Sequence, residues 1–176
     1  EAMELSHFGA EVLYPPTVKP VMEKNIPVYI RNTFDNKKPG TIISVNSDSN
    51  STVKGITHIK KIALLTIEGS GMIGVPGFSK KLFDEISSNY INIIMITQAS
   101  SEHSICIGIQ ESEAVKAKKL VDNAFKYEIE SNILNPCKIE DKLSIIALVG
   151  DKMKNHQGIS GKMFSALGKN NINVKA

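Results

Sequence analysis

Tryptophan is absent from this 176-residue chain, and aromatic residues make up only 6% of it. Any core must therefore be aliphatic. Single-stranded RNA reading on a sheet needs exposed aromatics on the central strands, and the apolar runs Ile62–Ile67 and Ser104–Ile109 offer none. Two cysteines, Cys106 and Cys137, are too few for a disulfide framework and lack CxxC spacing. Cys106, set in an apolar strand, reads as a small buried hydrophobe. No leader pattern and no long apolar run occur, so the expected compartment is the cytoplasm, with no membrane partner. A net charge of +3, spread over short pairs such as Lys37-Lys38 and Lys80-Lys81, describes solvated surface rather than a nucleic-acid footprint. His7, His58, His103 and His156 have no metal-ligand spacing, so no metal site is expected.

What is present is a repeat. Sliding the chain by 81 residues lays 61–95 on 142–176 without a gap, and ten of the 35 pairs are identical. They include Gly69/Gly150, Met72/Met153, Gly77/Gly158, Ser79/Ser160, Lys81/Lys162 and Asn89/Asn170. A self-similar period decides architecture before any local reading does.

Along the chain, a helical pattern over 1–14 is stopped by Tyr14-Pro15-Pro16, and a short helix over 17–24 leads to strands over 28–31 and 41–44. Residues 46–52 hold a run without apolar side chains and read as a mobile linker. From there the pattern predicts strands over 53–58 and 61–68, a helix over 77–89, and strands over 91–98 and 104–110. A long helix over 112–128, strands near 137–140 and over 143–149, a helix over 158–170 and a last strand from 172 follow. Phe78, Leu82, Phe83 and Ile86 make one buried helical stripe, and Ile159, Met163, Phe164 and Leu167 its repeat. Val121, Ala124, Phe125 and Ile129 line the long helix. Strand, helix, strand, strand, helix, strand is a ferredoxin-like α/β sandwich. Both ends read as cut in mid-element, as in a piece of a longer protein.

The loop between strand and helix carries the chemistry. Gly69-x-Gly71-x-x-Gly74 has the spacing of a dinucleotide fingerprint. Its helix begins only after Pro76-Gly77, the following strand reads Asn92-Ile93-Ile94-Met95 with no ribose-binding acid, and the repeat drops Gly71 and Gly74. A cofactor loop is excluded on those grounds. Free N–H groups at the helix start suit a smaller anion such as a carboxylate, and Gln98 closes the next strand with an amide that donates and accepts. An ordinary turn with a surface glutamine is the alternative. Ser101, Glu102 and His103 are adjacent, but neighbours on a strand face opposite ways, which argues against a nucleophile–base pair.

The stretches MIGVPGF, NYINIIMITQ and ASSEHSI resemble the first ACT regulatory module of aspartokinases, in the form fused to homoserine dehydrogenase. ELSHFGAEVLYPPTVKPV, IPVYIRNTF and KKPGTII are similar to the end of the aspartokinase catalytic domain. The resemblance implies tandem βαββαβ ACT modules preceded by a remnant of an α/β amino-acid kinase domain. On it, 1–45 is the catalytic-domain end, 46–52 the linker, 53–136 the first module and 137–176 an incomplete second, with strand 53–58 shared in the interleaved family arrangement. The parent would phosphorylate aspartate with ATP and Mg, the fragment itself carrying no catalytic residue and no cofactor. The implied partners are an amino-acid effector, a second copy joined through the ACT sheets, and the parent's own kinase domain. Effector contacts are implied at Met72, Gly74, Val75, Pro76, Gly77, Phe78, Ser79, Asn92, Ile93, Ile96 and Gln98. Lysine-sensitive relatives carry an acid where Ile94 stands, whereas threonine-sensitive bifunctional relatives carry a glutamine matched by Gln98. Threonine is the expected effector, with lysine, or a silent dimerisation module, as alternatives. The nucleotide-contact region of the kinase remnant falls at Glu11 and Val12, where the family usually has lysine in place of Glu11.

Overall fold

The structure is a computed structural model that describes residues 1–10, 13–45, 51–98 and 103–175, with the backbone alone at Lys154. Glu11, Val12, the core of the expected linker (46–50), Ser101 and Glu102 lie outside the described residues.

The chain forms two compact units, one of residues 60–145 and one of residues 1–59 with 146–175. In the first unit, β3 (Gly55–Glu68, from residue 60 onward), α3 (Phe78–Ser88), β4 (Met95–Gln98), β5 (Ser104–Gln110), α4 (Ala114–Ala124), α5 (Lys126–Glu130) and the start of β6 (Lys138–Val149) follow in order. The sheet order is β4-β5-β3-β6. That is second, third, first, fourth, the order of a βαββαβ ferredoxin-like unit. β5 pairs antiparallel with β3, Leu65 opposite Ile107, and with β4, Gln98 opposite Ile105.

One face of this sheet carries the core. Ala63, Leu65, Ile67, Ile105, Ile107 and Ile109 pack against Leu82 and Ile86 of α3 and Ala117, Val121 and Phe125 of the α4 region. Each fully buried aliphatic side chain contributes ~1.5–3 kcal/mol, so with few aromatics the unit is held by number rather than size. Cys137 is buried, whereas Cys106 is half-buried and takes a hydrogen bond from the Thr66 hydroxyl at 3.3 Å. Burial pushes the Cys137 thiol up to about 12.

The second unit holds α1 (Ala2–His7), α2 (Pro15–Glu23), a hairpin of β1 (Val28–Ile30) with β2 (Thr41–Ile43), the first residues of β3, the last of β6, and α6 (Ile159–Lys169). Thr57, the one buried polar residue among those described, donates its hydroxyl to the Phe8 carbonyl at 2.7 Å. The Lys54 N–H bonds the Val149 carbonyl at 2.8 Å, which seats the chain before β3 against the end of β6.

Several expected elements differ. α1 stops at His7 rather than 14 because Gly9 sits at φ 101, a left-handed stop. Pro15-Pro16 opens α2 instead of blocking it, since proline is at home in the first helical turn. The expected strand pairs at 53–58/61–68 and 137–140/143–149 are each one strand, bent at Lys61 and Lys142, both at φ 58. The long helix breaks at Phe125 into α4 and α5, and residues 91–94 and 172–175 form no strand. The α6 stripe is not buried: Phe164 is 53% exposed, and no strand from 172 covers that face among the described residues.

The repeat holds at atomic detail. Residues 81 apart share left-handed backbone at Lys61/Lys142, Gly77/Gly158 and Tyr90/Asn171. The Met72 N–H bonds the Gly69 carbonyl at 3.2 Å, and the Met153 N–H bonds that of Gly150 at the same distance. Asn89 and Asn170 each turn a side-chain amide back to the carbonyl four residues earlier, at 2.9 and 2.8 Å, and so close their helices identically.

Candidate effector site

β3 ends at Glu68, and the chain enters a short 3-10 turn at Ser70–Met72 before α3. A Cβ on Gly69 would lie 2.3 Å from the Ile133 carbonyl oxygen, and one on Gly71 would lie 2.1 Å from Ile133 Cγ2. These two glycines are there to let residues 133–134 pack on the loop, which accounts for them without any phosphate. Gly77 plays another part. Its φ of 109 turns the chain into α3, and no atom lies within 4 Å of where its Cβ would be. Its side is therefore open space.

That opening belongs to a pocket of about 480 Å³ lined by Met72, Gly74, Val75, Pro76, Gly77, Phe78, Ser79, Gln98 and Ile105. Eight of the eleven expected contacts are thus brought together. Asn92 is exposed and Ile93 packs on the core instead. Ile96 is 56% exposed on the edge strand and stands outside the lining. Ile105 was not expected; it stands directly opposite Gln98 in the β4–β5 ladder and forms the buried floor. Recognising 91–98 and 104–110 as a hairpin would have found it.

The electrostatics are simple. α3 has no side-chain cap and no acid in its first turn, and its first internal bond is the Lys81 N–H to the Gly77 carbonyl at 2.9 Å. The N–H groups of its first turn therefore have no helical acceptor, and they stand at the positive end of the helix dipole. Among the described residues lining the pocket none is charged; Ser79 and Gln98 supply the polar side chains. Such a lining offers N–H donors suited to an anion at the helix start, an amide at Gln98 that donates and accepts, and an apolar surface at Val75, Phe78 and Ile105.

The repeat forms a smaller pocket of about 300 Å³ at the matching place, lined by Met153, His156, Gly158, Ile159 and Ser160 among others. His156 takes the position of Val75 there. Glu11 and Val12, the expected nucleotide-contact region, lie outside the described residues. No group of three or more histidine, cysteine or acidic side chains capable of holding a metal occurs among the described residues, and no described helix is long and apolar enough to cross a membrane.

Known proteins resemble this chain throughout its length. The bifunctional aspartokinase/homoserine dehydrogenase of Daucus carota, a chloroplastic protein, is 43% identical over 184 residues, covering all of this chain and 20% of that protein. Its counterpart in Haemophilus influenzae is 42% identical over 177 residues, again covering all of this chain and 22% of that protein. The chain spans about a fifth of the length of these relatives. Among solved structures, the aspartate kinase of Clostridium acetobutylicum superposes with a TM-score of 0.88 at 27% identity, over all of this chain and 40% of that one. The model of the ACT domain family matches residues 65–125 and 146–176, just over half of the sequence, and the chain belongs to that family.

Proposed function

We propose that this chain is the feedback-sensing region of an aspartokinase of the bifunctional type. The pocket beside α3 takes an end-product amino acid, threonine by preference. The observation that carries this reading is the meeting of Gln98, the uncapped start of α3 and an uncharged lining in one cavity. A threonine carboxylate would take the first-turn N–H groups, and its hydroxyl or ammonium the Gln98 amide. Its methyl would lie against Val75 and Ile105. Lysine is the weaker candidate, since Ile94 gives no counter-charge and an unpaired ammonium taken out of water is penalised more heavily than any neutral polar group.

In this reading residues 1–45 are the tail of the catalytic domain, and the two ACT modules are interleaved rather than consecutive. The edge strand β4, with Ile96 exposed, is the surface through which two copies join their sheets. The parent enzyme transfers a phosphoryl group from ATP, with Mg, to aspartate; the residues that do so belong to the kinase domain. Effector binding shifts a two-state equilibrium, and a coupling of ~1–3 kcal/mol suffices to change activity several-fold.

Calorimetry on the full-length protein with L-threonine, L-lysine and L-methionine tests this. Saturable heat with threonine at millimolar or lower concentration is expected. Heat with lysine alone would replace threonine by lysine. No heat and no thermal shift with any of the three would reduce the chain to a structural dimerisation module.

A further inference from the structure

One cluster next to the pocket is not explained by packing alone. Lys81 lies one helical turn beyond Phe78, and its ammonium is 2.5 Å from Glu128 Oε1 and 4.6 Å from the centroid of the Phe125 ring. The Phe125 side chain is 1% exposed, and its ring stacks on that of Phe78 with centroids 6.0 Å apart and planes 12° apart. Phe78 in turn lines the effector pocket. The break between α4 and α5 falls at Phe125 and sets Glu128 one turn further on.

The Glu128 side chain is 19% exposed, and its Oε2 is buried with no hydrogen-bond partner among the described residues. The Lys81 side chain is 42% exposed, and a pair so open to solvent adds little to the stability of a module. What an ion pair supplies and an apolar pair does not is a fixed geometry. Here the ammonium is tied by charge to α5 and lies over the ring against which Phe78 stacks. The repeat offers an internal contrast: Lys162 keeps the place of Lys81, but Ile159 stands where Phe78 does, so the aromatic relay is confined to the first copy.

We propose that Lys81 and Glu128 are positioning residues for the effector pocket, holding Phe125, and through it Phe78, as the wall that sets the pocket's affinity for a small amino acid. The proposal rests on the effector reading above. Without the pair, Phe125 loses the cation over its ring and Phe78 is released to turn toward the cavity.

The test titrates the full-length protein with L-threonine and with L-lysine by calorimetry. Glu128→Gln and Lys81→Met are expected to weaken binding of whichever amino acid the unaltered protein takes by about three- to tenfold. Lys81→Arg, which keeps a cation over the Phe125 ring and a donor to Glu128, is expected to recover most of the loss seen in Lys81→Met. Lys118→Ala serves as control, since it breaks the 2.8 Å pair with Asp122 on α4 and leaves the Lys81 cation and the Phe78–Phe125 stack in place; it should lower the melting temperature and leave affinity unchanged. Unaltered affinity in Glu128→Gln and Lys81→Met would overturn the proposal and leave the effector site standing, as would an equal loss in Lys118→Ala or an equal loss in Lys81→Arg. Failure of the unaltered protein to bind either amino acid would overturn the effector reading, and this proposal with it.

Discussion

The Glu128 carboxyl and the Cys137 thiol titrate in opposite senses. Burial raises the Glu128 carboxyl, but the hydrogen bond from Lys81, its own backbone N–H and the Lys81 charge outweigh it and hold the group below its ordinary value of 4.5. A depressed acid contributes stability that is present above the unfolded value and is lost as pH falls through the folded one. The unaltered protein should therefore lose stability on acidification below about pH 4.5, and Glu128→Gln should flatten that limb in urea melts taken from pH 6 to 3. Cys137 behaves oppositely. Its thiol is raised from 9.0 to about 12, chiefly by burial, so the fold favours the protonated form. That stability is present below pH 9 and drains away as pH climbs toward 12. In the native protein a thiol reagent at neutral pH should leave Cys137 untouched, with reaction appearing only on unfolding. At this scale the sequence was informative about type and silent about neighbours. Gln98 was identifiable from its place at a strand end, but Ile105 beneath it and the Phe78–Phe125 stack arise from pairing between segments far apart in the chain.

Helices and strands were legible where a period or a punctuation residue marked them. The apolar stripe of α3 and its start after Pro76-Gly77 were plain in the residues, and both are in the structure; the left-handed backbone of Gly77 was not foreseen. The expected ends that moved did so for reasons periodicity does not carry. Lys61 and Lys142 bend a strand without breaking it, and Phe125 breaks a helix without any glycine or proline. Tyr90, just past α3, shows the same kind of concealed strain. It sits at φ 59 with 97% of its surface exposed, whereas the repeat places Asn171 at φ 56. Asparagine tolerates that backbone and tyrosine does not, at ~1 kcal/mol or somewhat more. Tyr90→Asn should accordingly stabilise the protein by ~0.5–1 kcal/mol in chemical denaturation, since the exposed ring gives up no packing.

For the whole molecule, the 81-residue repeat was the decisive sign, because it revealed two copies of one design before any site was considered. It did not reveal how the chain is shared between them. Each compact unit is built around one copy's loop and helix, yet residues 1–59 gather with 146–175, and β3 and β6 each contribute to both units. The spacing of apolar residues does not say which sheet a strand will join; the sharing of strand 53–58 was expected from the family resemblance alone. The central claim is that an amino acid binds at the start of α3 under Gln98. Amide hydrogen exchange on the full-length protein, with and without saturating L-threonine, addresses it directly. Slowed exchange in peptides covering 74–81 and 95–98 is the predicted result. Binding that leaves those peptides unchanged while protecting others, such as 153–163, would contradict it.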